Sequence, residues 1–145
     1  MTDAVHPAFA RYLWRLGVGL SLFVGASSPT LGQRPALGML DALEDGRWEL
    51  RTRGPEGDVQ RMCVDDGRML IQLRHPGGGC RRLIIEDSDS DVTVQYTCPG
   101  RGFGRTHIRR ETRRLVQIDT QGVAEGLPFS ASIEGRRVGD CGERR

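Results

Sequence analysis

From residue 47 onward, apolar and polar positions alternate with a period of two in segment after segment, the repeat expected of strands with one buried and one wet face. In Arg47–Arg53, Trp48 and Leu50 fall on one side and Arg47, Glu49, Arg51 and Arg53 on the other. The turn residues 54–57 (GPEG) lead to a second strand over Asp58–Val64. Arg81–Glu86 reads as a third strand, followed by the polar turn DSDSD at 87–91. Val92, Val94, Tyr96 and Cys98 then share one face, with Thr93, Gln95 and Thr97 opposite. Residues 99–104 (PGRGFG) read as a flexible turn, and 105–111 and 113–119 as a hairpin around Glu111–Arg113 with Val116 and Ile118 inward. Residues 120–126 (TQGVAEG) read as a loop before a last strand with Phe129, Ala131 and Ile133 on the core face. Pro128 suits a strand start, where no ladder donor is needed.

Two short helices interrupt this pattern: one over Ala36–Leu43 that ends at Gly46, and one capped by Asp65 or Asp66 that runs to Leu73 before Pro76 and three glycines. The expected fold is mainly β: a single antiparallel meander of six or seven strands curled into a small barrel or sandwich, with one or two short helices. There is no helix–strand alternation of the kind a parallel sheet requires.

The first 32 residues have a different pattern. Arg11 and Arg15 precede an apolar run from Leu16 to Ala26, and small residues with a Pro break follow. This is the order of a secretory signal peptide. The run is too short to span a bilayer, which takes about 20 residues. The expectation is a signal peptide over 1–32 cleaved after Gly32, with Ser27 as the alternative, and a single disulfide-stabilised β domain over 33–145. No cysteine follows the apolar run, so no lipid anchor and no stable membrane span after cleavage are expected.

Charge excludes one class of function. The chain has 21 basic residues, all arginine, and 19 acids. Removing Arg11, Arg15 and Asp3 with the signal leaves the exported part nearly neutral. Acids such as Asp41, Glu44, Glu49, Glu86 and Glu111 are interspersed among the arginines, so no single-sign surface is expected and nucleic acid is not an expected partner.

Cys63, Cys80, Cys98 and Cys141 all lie beyond the signal. An even count in an exported chain of modest core predicts two disulfides. Of the three pairings, Cys63–Cys80 with Cys98–Cys141 is favoured, the first closing a local excursion and the second tying the chain end to the sheet. No C-x-x-C pair and no histidine at ligand spacing from a cysteine points to zinc, and neither metal nor cofactor is expected.

The chemical motifs are weak. HPGGGC (His75–Cys80) has the glycines of an oxyanion loop but no G-x-S-x-G nucleophile accompanies it, and no lysine follows for a phosphate loop. It reads as a flexible connection to a disulfide. DSDSD lacks the sixth-position glycine and twelfth-position glutamate of a calcium loop, having Val92 and Cys98 there, and reads as a hairpin turn. His107 falls on the outer face of its strand with no triad arranged around it in sequence. The arginines at 101, 105, 109, 110, 113 and 114 form a local cluster; Arg105 and Arg109 share the face of His107, and the expected reading is a solvated outer face, with an anion-binding strip as the alternative.

Gly46, Trp48 and Glu49 in GRWEL, two pairs of cysteines separated by a strand-rich middle, and Gly135, Arg137, Gly139, Asp140 and Cys141 in GRRVGDC together resemble the bacterial family of domain of unknown function 3617, small exported proteins. The resemblance covers about Leu40 to Cys141. It implies export and structural cysteines and brings no activity, cofactor or catalytic residue. Members often carry a longer Pro- and Met-rich first turn than RGPEGD at 53–58. The functional expectation is a periplasmic or secreted protein that is not an enzyme, but a binding or envelope-accessory module whose partner is an envelope protein or small ligand. The alternatives are a carrier of a small apolar ligand and a hydrolase using His107 or acids such as Asp87 and Asp89.

Overall fold

Seven antiparallel strands form one open sheet in the order β2-β1-β7-β6-β5-β4-β3. The strands are β1 (Gly46–Thr52), β2 (Val59–Val64), β3 (Arg81–Asp87), β4 (Asp91–Cys98), β5 (Gly102–Thr112), β6 (Leu115–Ala124) and β7 (Leu127–Gly139). The structure is a computed structural model that describes residues 36–55 and 57–142; the expected signal peptide lies outside these. A short helix α1 (Gly38–Asp41) precedes β1, and a 3-10 helix (Gly67–Gln72) follows β2. Asp66 caps that second helix by accepting from the backbone N–H of Arg68 at 2.8 Å.

One face of the sheet, the inner face, carries the core. Trp48 and Leu50 of β1, Val92, Val94 and Tyr96 of β4, Ile108 of β5, Val116 and Ile118 of β6 and Ile133 of β7 are all buried. In register, Val92, Ile108, Ile118 and Ile133 form one continuous row across four strands. Leu40 of α1 and Leu70 and Ile71 of the 3-10 helix cover this face. Fully burying each aliphatic side chain stabilises the fold by roughly 1.5–3 kcal/mol, so the two short helices hold their shape by packing and not by propensity. A buried hydroxyl chain fixes the 3-10 helix to the sheet: Thr106 Oγ1 donates to the Ile71 carbonyl at 2.8 Å and therefore accepts from Thr120 Oγ1, also at 2.8 Å.

The topology overturns the expected cysteine pairing. Cys63 bonds Cys141, and Cys80 bonds Cys98. The reason is the crossing between β2 and β3. These consecutive strands are the two edges of the sheet, so residues 65–80 travel its full width beneath it and leave Cys63 and Cys80 at opposite edges. Cys80 then sits one register step beyond the Arg81–Thr97 pair, beside Cys98. The end of β7 lies beside the start of β1, where Arg47 pairs with both Gly139 and Cys63.

The mainly β antiparallel fold with two short helices is as expected, and of the two forms named the sheet is not closed into a barrel but is an open layer covered on one face. Local details differ. Residues 120–126 are not a loop: β6 continues to Ala124, and only Glu125 and Gly126 turn, with φ of 52° and 80°. Two successive positive φ values make the tight hairpin turn whose twist matches the flanking strands. The β5–β6 turn falls at Arg113 and Arg114, and α1 is shorter than expected because Leu37 before it takes a left-handed conformation (φ 64°).

Candidate functional site

Three places gather the residues singled out in the sequence. The first is the corner where β1 begins and β7 ends, and it collects the whole GRWEL and GRRVGDC set. Trp48 is fully buried and its indole N–H donates to the Glu44 carbonyl at 3.0 Å. Gly135 leaves the room that Trp48 and its neighbours fill, since a Cβ there would lie 2.9 Å from Val116 Cγ2 and 3.2 Å from Leu50 Cδ2. Gly46 has φ +143°, and a Cβ would come within 2.5 Å of the Gly139 carbonyl oxygen. Arg137 Nε donates to the Asp45 carbonyl at 2.7 Å, and its guanidinium also pairs with Asp140. Glu49 lies on the outer face between Arg61 (2.8 Å) and Arg51 (3.0 Å). The hydrogen bond from Arg61 holds its carboxyl below the usual glutamate range. Cys141 completes the corner by bonding Cys63. Each of these residues closes a contact of the chain with itself.

The second place joins the two glycine-rich segments. His75 is buried. Its Nε2 faces the Arg101 carbonyl at 3.0 Å and must donate, so Nδ1 accepts from the Tyr96 hydroxyl at 3.2 Å. Arg101 reaches back to the carbonyls of Pro76 (2.9 Å) and Gly78 (2.7 Å). HPGGGC is therefore a connection held by Arg101 and the Cys80–Cys98 bond, with every polar group of His75 engaged. Burial raises the Tyr96 phenol above its ordinary range.

The third place is the outer face of β4–β7, where side chains are free to meet something else. Cross-strand register sets Thr93, His107, Asp119 and Ser132 in one row and Gln95, Arg105, Gln121 and Ser130 in the next. A cleft of about 300 Å³ opens between Arg105, His107, Asp119, Gln121, Ser130 and Ser132. Beside it, a second hollow of about 410 Å³ is lined by Gln95, Phe103 and Val123, with Phe103 half exposed. Gly104 and Gly122 face each other in its floor, and on the inner side the missing Cβ of Gly104 leaves room for the Tyr96 ring.

The arginine cluster does not act as one strip. Arg109 pairs with Glu111 at 2.6 Å, and His107 Nε2 lies 3.2 Å from Asp91 Oδ1. Arg110 and Arg113 donate to the carbonyls of Asp89 and Ala42, and Arg114 faces Glu44 at 3.4 Å. With Arg101 committed to the glycine loop, Arg105 is the member whose guanidinium makes neither a hydrogen bond nor an ion pair among the described residues. Of the acids on this face, Asp119 is not singled out by the sequence, and Asp91 reads there only as part of the DSDSD turn. The alternation that put His107 outward gives Asp119 once the turn is placed at 113–114. Asp91 needed the β4–β5 register. Asp87, offered as a catalytic acid, instead accepts the Leu37 backbone N–H at 2.8 Å on the inner side. Among the described residues no three His, Cys, Asp or Glu side chains come together as a metal site requires.

An open antiparallel sheet, covered on one face and closed by two disulfides, defines a small mainly-β domain whose distinctive residues serve its own fold. The family model described as Protein of unknown function (DUF3617) matches residues 43–141, and the chain belongs to that family. Comparison with curated proteins and with solved structures finds no match.

Proposed function

We propose that the chain is an exported, non-catalytic binding module of the cell envelope that meets its partner through the outer face of β4–β7. The observation that carries this reading is Arg105, a guanidinium with no acidic partner among the described residues, set in a polar cleft beside the half-exposed Phe103. An arginine with spare donors next to an aromatic ring is the combination enriched at protein interfaces. The partner is an envelope protein that offers an acidic group to Arg105 and an apolar one to the Phe103 hollow. Two disulfides fit an oxidising compartment, and among the described residues no helix is long and apolar enough to cross a membrane. Together with the charged, apolar and small-residue order at the N-terminus, they support export.

The carrier reading has less support, because Trp48, Leu40, Leu70 and Ile71 fill the inner face that would hold an apolar ligand. A hydrolase reading draws on the cleft that places His107 with Asp119, Ser130 and Ser132. Against it, Ser132 Oγ donates to Asp119 at 2.5 Å, and the serine is thereby held by a carboxylate and not by the imidazole.

Native mass spectrometry of the protein purified from its own cells tests the proposal. The expected result is a co-purifying protein partner that is lost in Arg105→Glu. A bound apolar small molecule, or a bare chain from both proteins, contradicts it.

A further inference from the structure

The edge strand β3 carries Leu83, Ile84 and Ile85 at 63%, 40% and 47% exposure. Three consecutive exposed aliphatics on a sheet edge are what soluble domains avoid, unless that edge is paired. The opposite edge, β2, is managed: Cys63 ties it to the chain end, and Arg61 pairs with Glu49. At β3 the charges stand differently. The strand reads Arg81-Arg82-Leu83-Ile84-Ile85-Glu86-Asp87, two bases, three aliphatics and two acids. Arg82 donates to Gln72 at 2.6 Å and Glu86 accepts from Thr93 at 2.9 Å, both neutral partners. None of the four charges has an ion-pair partner among the described residues.

This sequence is complementary to itself when reversed. We infer that β3 pairs antiparallel with β3 of a second copy of this chain about a two-fold axis near Ile84, giving a dimer with a continuous fourteen-stranded sheet, twice the seven strands of one chain. The axis sets Arg81 and Arg82 of each copy against Glu86 and Asp87 of the other and packs the three aliphatics together. Such an interface is isologous and closes on itself, so it uses up the free edge and does not propagate. Main-chain hydrogen bonds across the edge supply attraction, and the charge order selects the antiparallel direction, because a parallel pairing would oppose like charges. The bulge between Ile84 and Glu86 shifts the acids by one position relative to β4 and leaves them within reach of either arginine.

Sedimentation equilibrium on the disulfide-bonded protein tests this pairing and is independent of the Arg105 face. The expected result is a dimer that weakens as salt rises. Arg81→Glu with Arg82→Glu in one variant, and Glu86→Arg with Asp87→Arg in another, each raise the dimer dissociation constant by more than about tenfold, since four cross-strand charge pairs are reversed at once. Mixing the two variants restores a dimer, now made of one chain of each. Because Glu86 and Asp87 also make contacts within the chain, Leu83→Lys, at an exposed position, is a second variant and also yields monomer. A monomeric wild type, a dimer unmoved by the charge reversals or by Leu83→Lys, or a mixture that fails to associate overturns the inference.

Discussion

Cys63 on β2 and Cys141 beyond β7 are 78 residues apart in sequence and 5.7 Å apart at their Cα atoms, and the bond between them spans the strand that separates their elements, β1. It therefore staples three strands, whereas Cys80–Cys98, with a separation of 18, closes a single hairpin. On the chain-entropy account the longer loop is worth about 4–5 kcal/mol and the shorter about 3 kcal/mol. Replacing Cys63 and Cys141 together by serine should lower the denaturation midpoint more than replacing Cys80 and Cys98. Urea titration of the two double variants checks the order, and peptide mapping without reductant should return only these two linked pairs.

The glycines of the same corner give a second prediction. Gly46→Ala sets a methyl group against the Gly139 carbonyl and strains a positive φ, so it should destabilise by roughly 2–3 kcal/mol. Gly139→Ala meets only Arg47 Nη2 at 3.3 Å, the end of a flexible side chain, and should cost clearly less. Thermal melts of the two variants side by side read the difference.

Acid should weaken the fold through two surface carboxylates. The hydrogen bond from Arg68 holds Asp41 below its usual 3.8, and that from Arg61 holds Glu49 below its usual 4.5. A carboxyl with a depressed folded value adds stability that is present above its unfolded value and is lost as pH falls through the folded one. Stability should therefore fall as pH drops below the usual carboxyl values of 4.5 and 3.8. Asp41→Asn should lower stability at neutral pH and flatten that slope. Denaturant titrations at a series of pH values check both.

The base limb is set by Tyr96. Its folded phenol titrates above the usual 10.0 because it is buried, so the unfolded chain ionises first and stability falls as pH rises past that value. Tyr12 is the second tyrosine of the chain, so in protein cleaved after Gly32 an ultraviolet titration reads Tyr96 by itself. Ionisation at the ordinary tyrosine value in the folded protein would contradict its burial.

Period-two alternation made most of this fold legible, because β1 and β4 to β7 each turn one face to the core and the pattern records it. Trp48 with Leu50, and Val92 through Cys98, fall where the alternation puts them. The cysteine partners were not legible, since pairing depends on strand order, and nothing local in residues 65–80 states that they cross the sheet. The 120–126 segment read as a loop because Gly122 and Ala124 carry little side chain to alternate. His107 was placed outward by its neighbour Ile108. Its partner Asp91 depended on a register that only the assembled β4–β5 pair defines.

The central claim is that the outer face of β4–β7 is the working surface while the GRWEL and GRRVGDC corner serves the fold. Site-specific photo-crosslinking in the producing cells tests it most directly, with the reactive group at position 121 in the cleft or at position 51 on the outer side of β1. A discrete adduct with another protein at 121, absent at 51 and lost when Arg105→Glu is added, is the predicted result. Equal adducts at both positions, or an adduct at 121 that survives Arg105→Glu, would contradict the account.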